Sequence, residues 1–165
     1  MRVTDLRTMI VELPLERPTR NASGVTNDRI GCVLVFVDTD IGVTGESFLF
    51  TQGGRRIEVL ETMVASLKPA IVGEDIRYAE RVWDRLWREL YFLGHKGVTI
   101  FGLAAVDTAL WDAKGKALGQ SVTHLLGAAR DRVPVYCSSG LWLSATPDEL
   151  ATEAAGYMAL GFAGV

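Results

Sequence analysis

The spacing of apolar positions changes along the chain, and each change marks an element. Over residues 3–13, Val3, Leu6, Met9, Val11 and Leu13 predict a strand whose alternation slips once near Arg7. Pro14 is expected to end that strand, because proline lacks the N–H that a ladder needs. Residues 15–28, with Pro18, Asn21, Ser23, Gly24 and Asn27, then read as a loop of about fourteen residues, against a usual connection of about 4–6. Alternation returns over 29–38 (Val33, Val35, Val37) and over 43–50, on either side of an Asp40-Ile41-Gly42 turn. These segments predict a three-stranded antiparallel sheet.

After Gly53-Gly54, read as a turn, the spacing becomes helical. Ile57, Leu60, Met63, Val64, Leu67 and Ile71 make one stripe, with Pro69 near its end. A second helix is expected over 75–93, with Trp83, Leu86, Trp87 and Leu90 on its buried face and Gly94 closing it. A third carries Leu103, Val106, Leu110, Ala113 and Ala117, pairs Asp112 with Lys116 on its exposed side, and ends at a left-handed Gly119. Asp107 stands among small and apolar residues of this helix. A structural pairing with a nearby cation or backbone group is its expected role, since buried charges are normally paired.

Beyond Gly127 the pattern begins again. Residues 133–138 read as a short strand, and Thr146-Pro147-Asp148-Glu149 as a helix start with Thr at the N-cap, Pro at N1 and Glu at N3. That helix should run to Gly161, with 162–165 opening another strand. Strand, helix, strand is the repeat of a parallel sheet or barrel, and the sequence stops inside it, so a partial second domain is expected. The division expected is 1–128 for an α+β domain and 129–165 for the start of the next.

Composition narrows the partners. With 48% hydrophobic residues the chain can build a core. A net charge of −3 without a Lys/Arg-rich block argues against nucleic acid and against anionic membrane. The longest apolar run, 32–37, is too short to cross a bilayer. Cys32 and Cys137 lie in strand-like segments and suggest no disulfide framework, which makes a reducing cytoplasm the expected compartment. His95 and His124 flank helix ends, where capping or surface roles are expected. Glu46 reads as a structural hydrogen-bonding carboxylate, and Cys137 as an ordinary strand residue.

Residues 102–127 carry a more specific pattern: Ala104-Ala105-Val106-Asp107, Ala109-Leu110, Asp112, Gly115-Lys116, Ser121-Val122 and Leu125-Leu126-Gly127. It resembles the signature of the mandelate racemase/muconate lactonizing enzyme family of the enolase superfamily, with Gly102 where that signature usually has Ala. Gly42-Val43-Thr44-Gly45-Glu46-Ser47 is similar to the family's Gly-x-x-Gly-Glu turn and strand. The resemblance implies an N-terminal α+β capping domain followed by a modified TIM barrel, of which 129–165 would be the first βα unit, truncated. It also implies abstraction of a proton α to a carboxylate, with Mg²⁺ stabilising the enediolate. The family's Lys-x-Lys base motif and acidic metal ligands would lie past Val165, so no catalytic or metal-binding residue is assigned in this chain.

The resemblance does assign substrate contacts. Residues 15–28 resemble the family's first specificity loop, with Thr19, Asn21, Ser23 and Thr26 as candidates. Residues 47–52 resemble the second. By alternation Phe48, Phe50 and Gln52 share a face, and Phe50 and Gln52 lie nearest the substrate. Ser138 lies where mandelate racemase-like members have a serine that can hydrogen-bond the substrate carboxylate; a plain strand-end turn residue is its other reading. A polar lid suits the hydroxyls of a sugar acid, so the expected partner is a small-molecule carboxylate and acid-sugar dehydration is favoured, with racemisation or epimerisation next. A homo-oligomer, often a dimer or octamer, is also implied. The alternative is a non-catalytic interaction or assembly module.

Overall fold

The structure is a computed structural model that describes residues 1–20, 24–138 and 140–165. Strands β1 (Val3–Arg20), β2 (Thr26–Thr39) and β3 (Thr44–Gln52) form an antiparallel sheet in the order β1-β2-β3. Helices α1 (Ile57–Ser66), α2 (Lys68–Ile71), α3 (Ala79–Glu89), α4 (Val98–Leu118), α5 (Val122–Leu125) and α6 (Pro147–Ala159) follow. None of the helices is long and apolar enough to cross a membrane among the described residues.

The core lies between one face of the sheet and helices α1, α3 and α4. Val33, Val35 and Val37 of β2 are fully buried there, together with Ile57, Val64, Val82, Leu86, Leu103 and Leu110. Helix α4 lies along β3: the Ser47 hydroxyl donates to the Ala105 carbonyl at 2.6 Å, and the Lys116 ammonium donates to the Thr44 carbonyl at 3.0 Å. Lys116 also pairs with Glu46 and Asp112, each at 2.7 Å, which gives Glu46 its structural role. The two elements come closest at Gly45. A Cβ there would collide with the Ala109 carbonyl oxygen and sit 2.7 Å from the Ala113 Cβ. The glycine is required for close packing, since Gly45 is not among the residues with positive φ.

Strand β1 departs from expectation twice. Its slip near Arg7 is a register shift between Val3 and Asp5, which lets Val3 and Leu6 both point into the core. It also continues past Pro14, which faces Arg29 across the ladder. After a second shift, Thr19 pairs with Asn27 and Arg20 with Thr26. The expected loop over 15–28 is therefore largely the two arms of the β1–β2 hairpin. Pro14 is tolerated because β1 is an edge strand, where a missing N–H need leave no ladder bond unmade.

The helices are shorter than their stripes. The first breaks at Leu67, and Pro69 falls in the first turn of α2, where its missing N–H is harmless. The segment 75–93 divides into a 3-10 turn capped by Asp75, then α3, then a second 3-10 turn. Leu86 and Leu90 are buried as expected, but Trp87 is 39% exposed, stacked between Trp83 and His95. His95 Nε2 lies 2.7 Å from the Trp87 carbonyl oxygen, a contact at the end of α3. Helix α4 begins at Val98, so Gly102 lies inside it, against Met63; Gly119 ends it with φ of 63°.

Two expected strands do not form. Residues 133–138 and 162–165 have no regular structure. Among the described residues they are joined by the Cys137 N–H donating to the Gly164 carbonyl at 3.0 Å. A parallel strand draws its stability from ladders along its length, and no ladder forms here among the described residues. Helix α6 between them has its full capping box at Thr146 and Glu149, yet none of its residues is buried.

Candidate functional site

The three strands converge at the β1–β2 hairpin, and the candidate site lies at this end of the sheet. Thr19 and Thr26 occupy adjacent positions across the hairpin, in the Thr19–Asn27 and Arg20–Thr26 pairs. Asn27 is buried and donates from Nδ2 to Gln52 Oε1 at 3.3 Å, tying the end of β3 to the hairpin. The Gly53-Gly54 turn behind them has φ of 72° and 64°, and Gly53 N–H donates to the Arg29 carbonyl at 2.9 Å. Gly31 makes this turn possible, for a Cβ there would lie 2.6 Å from the Gly54 Cα. Only a residue without a side chain lets the turn fold back onto β2.

Phe50 sits two positions back from Gln52, opposite Cys32, and is 58% exposed on the face turned away from the helices. Phe48, Phe50 and Gln52 do share that face, as the alternation required.

A cavity of about 380 Å³ opens beside the β1 arm, lined by Leu15, Arg17, Pro18, Thr19, Trp142 and Tyr157 among others. Its far wall is built by Glu153 of α6, which accepts the Leu141 N–H at 2.9 Å and the Tyr157 hydroxyl at 3.1 Å. Burial and the neighbouring Glu153 push the Tyr157 phenol above its ordinary value. Gly140 has φ of 110°, and any side chain at that position would strike Glu153 and Tyr157.

The sequence candidates are thus only partly brought together. Thr19 stands opposite Asn27, which bonds Gln52, and Thr19 also lines the cavity, whereas Thr26 pairs with Arg20 and projects to the opposite face. Phe50 belongs to the adjoining outer face. Ser138 is exposed and does not line the cavity. Asn21 and Ser23 lie outside the described residues. Asn27, Glu153 and Tyr157 were not singled out from the sequence. The four-residue spacing of Glu153 and Tyr157 on one helix was the available signal for the last two.

Asp107 differs from expectation. It is half-buried in α4, and among the described residues no cation or backbone donor pairs with it. Burial, reinforced by the charge of Glu80 on α3, pushes its carboxyl up to about 6. Nor do three His, Cys, Asp or Glu side chains assemble as a metal site among the described residues. The chain as described does not offer a Mg²⁺ ion the acidic oxygen ligands it prefers.

Residues 4–127 match the family described as mandelate racemase / muconate lactonizing enzyme, N-terminal domain. The arabinonate dehydratase of Saccharolobus solfataricus is 30% identical over 153 residues, covering 91% of this chain and 40% of that protein. The D-mannonate dehydratase of Rhizorhabdus wittichii is 37% identical over 133 residues, 79% of this chain and 31% of that protein. The L-talarate dehydratase of Polaromonas sp. JS666, crystallised with Mg and L-glucarate, superposes with a TM-score of 0.83 at 29% identity, over 96% of this chain and 43% of that one. The chain therefore spans roughly a third to two fifths of the length of these relatives.

Proposed function

The chain belongs to the mandelate racemase/muconate lactonizing enzyme family, and from this premise we propose that it forms the cap of an enolase-superfamily enzyme acting on a sugar acid. Residues 1–128 are then the capping domain and 129–165 the first βα unit of its barrel. The observation that carries the reading is the polar link at this end of the sheet, where buried Asn27 donates from Nδ2 to Gln52 Oε1 and Thr19 stands opposite Asn27 across the hairpin. An amide held in this way can donate to and accept from the hydroxyls of a polyhydroxy acid, and would leave an aryl substrate unmatched. The curated relatives named above, a dehydratase of arabinonate and one of mannonate, support the same substrate class.

In this reading Thr19, Asn21, Ser23, Thr26 and Gln52 contact the hydroxylated end of the substrate. Phe50 supplies an apolar edge, and Ser138 donates to the substrate carboxylate. Dehydration is the leading reaction, with racemisation or epimerisation second. Mg²⁺ is the metal proposed for the complete enzyme, on the strength of neighbours crystallised with it. Its ligands and the proton-abstracting base would belong to barrel strands other than those in this chain. With no disulfide among the described residues, the proposed compartment is the cytoplasm.

The test is turnover of a panel of sugar acids by the complete enzyme with Mg²⁺, beside Gln52→Ala. Loss of a substrate-orienting amide should lower kcat/KM by about 10–100-fold on the best sugar acid, in keeping with the loss of one or two well-placed hydrogen bonds. Failure to turn over any sugar acid, or a Gln52→Ala enzyme with unchanged kcat/KM, would refute the reading.

A further inference from the structure

The cavity beside the β1 arm is bounded by a turn with an unusual backbone. Gly140 has φ of 110° and Leu141 φ of 52°, so two successive residues have positive φ, and Leu141 does so with a side chain that disfavours it. Contacts with α6 hold the turn in that state. The Glu153 carboxylate accepts the Leu141 N–H at 2.9 Å on one oxygen and the Tyr157 hydroxyl at 3.1 Å on the other. The turn lies so close that a Cβ on Gly140 would stand 2.5 Å from both Glu153 Oε1 and the Tyr157 hydroxyl oxygen. Trp142 follows directly, and its carbonyl accepts the Ala145 N–H at 2.9 Å. The half-buried Trp142 lines the cavity together with Leu15, Pro18 and Thr19 of β1.

We infer that Trp142 is a substrate-binding wall of this cavity, its indole face lying along the C–H side of a polyhydroxy acid, and that Glu153 is the positioning residue that aims it. This role for Trp142 rests on the sugar-acid reading above and adds a group that the β1–β2 hairpin does not supply. An open-chain sugar acid presents hydroxyls along some edges and bare C–H groups along others. The hydroxyls need donors and acceptors, while the C–H groups leave water most favourably against a flat apolar surface. Trp142 offers both. Its ring is apolar, and its indole N–H, a donor only, has no hydrogen-bond partner among the described residues. Thr19 brings to the same cavity a hydroxyl that can donate or accept.

Size and charge both suit such a ligand. The cavity volume of about 380 Å³ falls within the range of small-molecule sites, about 300–1,000 Å³. Arg17 lines the cavity as well as Glu153, and both Glu153 oxygens are engaged by donors, so an anion is not met by a bare carboxylate. The backbone of the turn gives Glu153 its purpose. A leucine with positive φ persists only where its surroundings over-determine it, and here the acceptor for its N–H is Glu153. Without that acceptor the turn relaxes, and the indole one residue on no longer keeps its place in the cavity wall.

Steady-state kinetics of the complete enzyme with Mg²⁺, on its best sugar acid, test both roles. Trp142→Ala should raise KM by about ten-fold or more and leave kcat within about three-fold, because a wall that touches the substrate alike before and during reaction contributes uniform binding. Trp142→Phe keeps a flat ring and should recover most of the loss. Glu153→Ala should raise KM by about three- to ten-fold, whereas Glu153→Gln, whose amide oxygen still accepts the Leu141 N–H, should stay within about two-fold. Added to Trp142→Ala, Glu153→Ala should raise KM no further, since it acts through the ring already removed. Turnover with a KM that Trp142→Ala leaves unchanged would overturn the proposal while the sugar-acid reading stands; no turnover of any sugar acid by the unaltered enzyme would overturn both. A Glu153→Gln enzyme as impaired as Glu153→Ala, or additive effects in the double variant, would overturn the positioning role of Glu153.

Discussion

Replacing Asp107 by Asn should stabilise the chain at neutral pH and leave its stability in acid unchanged. The carboxyl lies half-buried in α4 with the charge of Glu80 nearby, and its pKa rises from 3.8 to about 6. The folded chain therefore binds this proton more tightly than the unfolded chain does. The favourable contribution is full below about pH 4 and is lost as pH rises through 6, leaving an unpaired charge in the folded state. A gap of about two pH units corresponds to about 3 kcal/mol, and partial exposure to water reduces this to about 1–2 kcal/mol. For a domain of this size each kcal/mol moves Tm by about 2–4 °C, so Asp107→Asn should melt about 4 °C higher at pH 7.5. At pH 4 the two proteins should melt together, because the native carboxyl is then neutral and close in shape to the amide. Thermal unfolding followed by circular dichroism at both pH values is the assay. A Tm difference of the same size at both pH values, or a destabilised variant at pH 7.5, would refute the reasoning. Glu80→Gln should act in the same direction and more weakly, since burial outweighs the Glu80 charge as the cause of the shift.

Two further outcomes concern stability. Gly45→Ala should destabilise by about 1–3 kcal/mol or more, because the added methyl meets the backbone of α4, which cannot move aside as a flexible side chain would; a lowered Tm with native spectra checks it. Asp75 accepts from the Arg77 guanidinium and from the Arg77 backbone N–H, which together hold its carboxyl well below the ordinary range. Its contribution is present above the unfolded pKa and lost as pH falls through the lower folded value. The stability deficit of Asp75→Asn should therefore shrink progressively on acidification, read from unfolding curves between pH 5 and pH 2, roughly the span over which such carboxylates titrate.

What the sequence by itself determined was local or periodic. The alternation of β2 and β3, the stripe of α4 with its stop at Gly119, and the capping box at Thr146 each arise from a few neighbouring residues, and all appear in the structure. The pattern over 102–127 was legible as a resemblance to a known family, and the family match over residues 4–127 bears it out. The tertiary structure decided whatever depends on distant neighbours. Pro14 stays within β1 because that strand lies at the edge of the sheet, and its position in the sheet is not encoded near Pro14. Residues 133–138 and 162–165 have strand composition, yet composition cannot supply the ladders that make a parallel strand. The link from Asn27 to Gln52 spans 25 positions, so it emerges only when the strands pair. Asp107 shows the same limit for electrostatics. Its apolar neighbours were visible along the helix, but its lack of a cation partner among the described residues and the presence of Glu80 on another helix became visible only in three dimensions, where charge interacts through space and not along the chain.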